Sequence, residues 1–123
     1  MVEVSSVKAV KALGSAIELQ SVVRSYNWDD GFEIPRAIAD HPCCDLAVAL
    51  ELFSLSDGVS VYTGEVQLNG HNREHVEFCQ LMSARLLSGH YKPGAAEFKS
   101  DLSAVQMYKL RKQGVPELLY TAS

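Results

Sequence analysis

The strongest constraint in the sequence lies between Asp45 and Gly58. On a helix of period 3.6, Leu46, Ala49, Leu50 and Phe53 share one face, and Val48, Leu52 and Leu55 share another. A helix that is apolar most of the way round must be enclosed by other elements, so the chain is expected to wrap around residues 45–57. Asp45 stands one residue before the periodic positions, where an N-cap carboxylate can accept a free backbone N–H. Asp57-Gly58 follows them and is expected to close the helix with a glycine just past its end.

The flanking stretches supply the wrapping. Val7, Val10, Ala12 and Leu13 suggest a short first helix, broken near Gly14-Ser15, and Ile17, Leu19, Val22 and Val23 a second one to about Ser25. Asn27 to Gly31 read as a turn. Asp30 or Gly31 can precede a third helix over Glu33–Asp40, with Pro35 in its first turn and His41-Pro42 as its stop. A long helix over Asn72–Ser88 is expected to bury Val76, Phe78, Cys79, Met82 and Leu86. Ser100 or Asp101 is expected to cap the last substantial helix, which runs through Leu102, Val105, Met107 and Leu110 to Gly114. Residues 59–68 break the pattern. Val59, Val61 and Thr63 alternate with Ser60 and Tyr62, which suits a short β-hairpin turned at Thr63-Gly64, or an irregular segment packed on the helices. The expectation is an all-α fold, a compact bundle of five to six helices in a single domain over residues 1–123.

Charge narrows the function. The net charge is −4, and residues 32–70 hold Arg36 against Glu33, Asp40, Asp45, Glu51, Asp57 and Glu65. Phosphate recognition needs concentrated Lys and Arg, so nucleic acid is a poor partner for this acidic middle and a basic protein is a better one. No apolar run approaches the ~20 residues that span a bilayer. Met1 to Ser6 lack a basic region followed by an apolar block, so no leader is expected and the cytoplasm is the expected location. Cys43, Cys44 and Cys79 are odd in number and read as reduced thiols rather than a disulfide framework.

Three strings carry chemical interest. His71-Asn72-Arg73-Glu74-His75 matches the H-x-x-E-H zinc pattern, with Cys79 four residues further on. Against zinc, His71 follows Gly70 directly, and the same face carries Phe78, Met82 and Leu86, which mark it as core. His41-Pro42-Cys43-Cys44 lacks a second cysteine pair to complete a tetrahedral site and reads as small residues leading into the central helix. Asp29, Asp30 and Glu33 form an acidic knot beside Trp28, the only tryptophan. They suit turn capping or contact with a partner; calcium-loop spacing, a nucleophile and a basic clamp are all missing.

The string Asn27-Trp28-Asp29-Asp30-Gly31-Phe32-Glu33-Ile34-Pro35, followed by His41-Pro42, Cys44-Asp45-Leu46-Ala47, Ala49-Leu50 and Asp57-Gly58, resembles a bacterial family known as domain of unknown function 4274. The resemblance implies a small, cytoplasmic, largely helical protein and brings no activity or catalytic residue with it. Cys43 stands where that pattern leads one to expect a polar residue.

These observations favour a non-enzymatic role without a cofactor or metal. The first expectation is a protein-binding module, immunity- or antitoxin-like, that occludes a basic partner through Trp28, Asp29, Asp30 and Glu33, as a monomer or homodimer. The alternatives are a small hydrolase using Asp29/Asp30 or a His71/His75 metal site, and a structural or regulatory subunit of an assembly.

Overall fold

The computed structural model describes residues 6–121; residues 1–5, on which the expected absence of a leader rests, and residues 122–123 lie outside them. Among the described residues the chain forms seven α-helices and no strand, so the fold is all-α with one helix more than the sequence suggests. Helix α1 spans Val7–Lys11 and α2 Ala16–Ser25, begun by Ser6 and Ser15 side chains that accept the Ala9 and Glu18 backbone N–H groups. A 3-10 turn at Trp28–Asp30 leads to α3, Glu33–Ala39. Then come α4 (Leu46–Leu55), α5 (Gly58–Tyr62), α6 (Arg73–Leu87), α7 (Ala104–Lys112) and a second 3-10 turn at Glu117–Leu119.

Helix α4 is the enclosed one. It packs against α2, α3, α5 and α6, and it buries Ala47, Val48, Ala49, Leu50, Leu52 and Phe53. Each large apolar side chain buried this way contributes roughly 1.5–3 kcal/mol. The N-terminal end of α4 is tied to a distant segment through Asp45, which is buried. One carboxylate oxygen accepts the Val48 N–H at 3.0 Å as the N-cap, and the other accepts the Ala96 N–H at 3.0 Å. The Leu46 N–H donates to the Lys92 carbonyl at 2.8 Å in the same strap. Gly94 permits this approach, because a Cβ there would stand 2.6 Å from Asp45 Oδ2.

The hairpin expected over residues 59–68 is absent, and α5 with an irregular connection takes its place. Val59 and Val61 are half-buried against the core instead of alternating across a sheet. A lone two-stranded hairpin is marginal in water, and no other strand among the described residues offers it a partner. The connection satisfies its own backbone. Val66 donates to the Ser60 carbonyl at 3.1 Å, and Asn72 accepts the Asn69 N–H and donates to the Gln67 carbonyl.

The junction of α4 with α5 also differs from the expected glycine close. Asp57 adopts the left-handed conformation (φ 61°), its Oδ1 accepting the Ser60 hydroxyl at 2.8 Å, while Gly58 is already in α5. Glycine is needed at position 58 for space: a Cβ would fall 2.3 Å from the Phe53 ring. The last helix starts later than expected, at Ser103, whose hydroxyl and Gln106 form a reciprocal capping box.

Candidate functional site

The acidic knot sits on a rigid aromatic base. Tyr26 meets Trp28 edge-on, with centroids 5.4 Å apart. Trp28 lies 5.8 Å from Phe32 and 6.3 Å from Phe78, and Phe32 lies 5.3 Å from Phe78. The Tyr26 hydroxyl donates to the Gly31 carbonyl at 2.7 Å and the Asn27 side chain accepts the Asp29 N–H at 3.1 Å, so the turn is pinned at both ends. Trp28 is half-buried and packs against the core.

Around that ring Asp29, Asp30 and Glu33 are all exposed. None of the three has an ion-pair partner among the described residues, whereas Asp40, Glu51, Glu77 and Glu117 are each paired with arginine. The capping role considered for Asp30 is not taken up, since Phe32 holds the N-cap position of α3 and no side chain caps it. The negative field is felt nearby: burial raises the Tyr26 phenol above its ordinary range, and the charges of Asp30 and Glu33 raise it further.

The His71–Cys79 string resolves into a helix end. His71 is exposed in the segment before α6. His75 stacks on Phe32 (5.7 Å, 17°), and its Nε2 donates to the Ser56 carbonyl at 2.6 Å. The Cys79 thiol faces the same carbonyl at 3.6 Å and the Ser56 hydroxyl at 3.5 Å. Ser56 follows the last turn of α4, where carbonyls lack intrahelical partners, so His75 and Cys79 cap the central helix, while His71, the other imidazole of the zinc pattern, takes no part. Among the described residues no group of three or more His, Cys, Asp or Glu side chains is arranged to hold a metal ion.

Cys44 and Cys79 are poor nucleophiles. Burial, with Asp45 and Asp40 adding to it, pushes the Cys44 thiol up to about 12, and burial pushes Cys79 up to about 11, so both stay protonated near neutrality. His41, also buried, donates from Nε2 to the Leu13 carbonyl at 2.8 Å while its Nδ1 accepts the Cys43 N–H at 2.9 Å. It locks the α1–α2 and α3–α4 connections together.

Reading the sequence for motifs misses a cleft between α5 and α7 whose lining includes Asp57, Glu65 and Lys109. No spacing rule links residues so far apart. The only local signal was Asp57-Gly58, read as a helix stop.

Trp28 on its aromatic base, with three exposed carboxylates around it, is a surface feature of a small all-α fold. The chain belongs to the family of domain of unknown function DUF4274, which matches residues 15–87, from the N-cap of α2 to the last residue of α6. Comparison with curated proteins and with solved structures gives no match. Among the described residues no helix is long and apolar enough to cross a membrane.

Proposed function

We propose that the protein is a binding module of the immunity or antitoxin type, acting in the cytoplasm, whose Trp28–Asp29–Asp30–Glu33 corner engages a basic surface on a protein partner. One observation carries this reading: the three carboxylates are exposed and unpaired around a tryptophan already fixed by its neighbours. A fixed aromatic loses little freedom on binding, and a charged rim steers the encounter. The exposed part of Trp28 supplies apolar contact at the centre, as anchors of this kind do in interfaces.

The test is affinity capture from the native cell, followed by association kinetics with the captured partner at two salt concentrations. Asp29→Lys with Asp30→Lys should slow association about tenfold at low salt and leave the melting temperature nearly unchanged. An association rate indifferent to both salt and the double substitution would remove this corner from the account.

A further inference from the structure

The α5–α7 cleft has a different character from the acidic corner and leads to a separate assignment. It encloses about 330 Å³, at the small end of the range for small-molecule sites. One wall comes from the family-matched region: Asp57 and the turn after α5, which carries Glu65. The other comes from the segment after Leu87 and brings Lys109 from α7, with Leu102 and Leu110 as apolar lining. Tyr120 also lines the cleft; its ring is buried, and its hydroxyl has no hydrogen-bond partner among the described residues, the neighbouring Arg111 being paired with Glu117.

The charged lining is therefore two carboxylates and one ammonium, net −1, beside aliphatic side chains. A ligand that answers it has two cationic groups, one carboxylate and an aliphatic stem, net +1. We propose that this cleft binds a free basic amino acid of the lysine, ornithine or arginine class. Asp57 and Glu65 take the α-ammonium and the side-chain cation, Lys109 takes the α-carboxylate, and the methylene stem lies along Leu102 and Leu110. Asp57, Glu65 and Lys109 are exposed, so each ionic contact is weak alone and the three together set the affinity.

Calorimetric titration of the full chain with lysine and arginine, against glutamate and leucine, tests the assignment. Amide chemical shifts recorded alongside locate the site. The basic amino acids should bind at millimolar concentration and shift amides of residues 54–65 and 102–110, while glutamate and leucine should not. Nα-Acetyl-lysine, which has lost one cation, should bind about tenfold more weakly. Three substitutions that spare the fold should each weaken lysine binding about fivefold to tenfold: Glu65→Gln on an exposed turn, Lys109→Met on the α7 surface, and Asp57→Gly, which suits the left-handed backbone. No binding of either basic amino acid, equal binding of glutamate, or shifts clustered elsewhere would overturn the proposal. None of these outcomes bears on the Trp28 corner, which lines no part of this cleft.

Discussion

The family-matched region and the segment after it are both held to the core, but by opposite means. In residues 15–87 the helices hold: α2, α3, α4 and α6 each bury apolar residues, and side chains cap the starts of α2 and α4. After Leu87 the connections hold. Tyr91, Ala96, Phe98, Val115, Leu119 and Tyr120 are buried, all outside α7, and α7 itself buries no residue fully. The Tyr91 hydroxyl donates to the Ala39 carbonyl at 3.0 Å, Gln20 donates to the Glu97 carbonyl at 2.7 Å, and Ala96 is tied to Asp45. Helix α7 is a span between these anchors. Helical periodicity therefore locates the core in the first region and misdirects in the second.

The most severe way to break the contrast is at the centre of α4. Phe53 has no exposed surface and its ring faces Gly58. Phe53→Ala removes a large buried side chain and leaves a cavity, which should cost on the order of 3–5 kcal/mol, a large part of the stability of an ordinary domain. A thermal melt close to the parent's would show that α4 is not the element on which the fold rests.

Asp45→Ala sharpens the comparison, because Asp45 serves both regions at once. The variant loses an N-cap of about 1 kcal/mol and leaves the buried Ala96 N–H unpaired, for a total of roughly 2–4 kcal/mol. The distinguishing readout is local. Amide exchange at Ala96 should accelerate more than exchange in α4, since the strap depends on this side chain while the helix buries Leu50, Leu52 and Phe53 beyond its first turn. Equal acceleration in both would mean the strap is held by packing alone.

The difference explains what was legible in the sequence. The all-α class, the enclosed helix at 45–57 and the Asp45 cap follow from spacing and local capping, which act within a turn or two of chain. The core reading of the His75–Cys79 face was legible for the same reason, since Phe78, Met82 and Leu86 mark it. What it lacked was the partner: that both side chains reach the Ser56 carbonyl depends on how α6 lies across α4. The hairpin reading of residues 59–68 failed because alternation of valines is a local preference, and packing of α5 on α4 and α6 overrides it. The Ser103–Gln106 box, by contrast, was readable and was missed in favour of Ser100 or Asp101, although Ser-x-x-Gln is the stronger start signal. Of the candidate site, Trp28 and its carboxylates were legible as a cluster. The aromatic base beneath them was not, because Phe78 lies 50 residues beyond Trp28 in the chain. The Asp57–Glu65–Lys109 cleft has no sequence signature at all.

The smallest expected effect is the most specific test of the second region. In α7, Val105 and Tyr108 occupy neighbouring positions on one face and are 63% and 61% exposed, while Met107 and Leu110 are half-buried against the core. Periodicity alone would rank all four as candidates for burial. If α7 is a span held by its flanking connections, Tyr108→Ala and Val105→Ala should each change stability by less than about 0.5 kcal/mol, as surface substitutions usually do. Leu110→Ala, on the inward face, should cost about 1–2 kcal/mol, less than a fully enclosed leucine because part of its surface is already wet. The order of the three values carries the information. A loss at Tyr108 equal to that at Leu110, measured by denaturant unfolding at low protein concentration, would mean that the outer face of α7 is covered in solution. That loss shrinking on further dilution would identify the cover as a second copy of the chain.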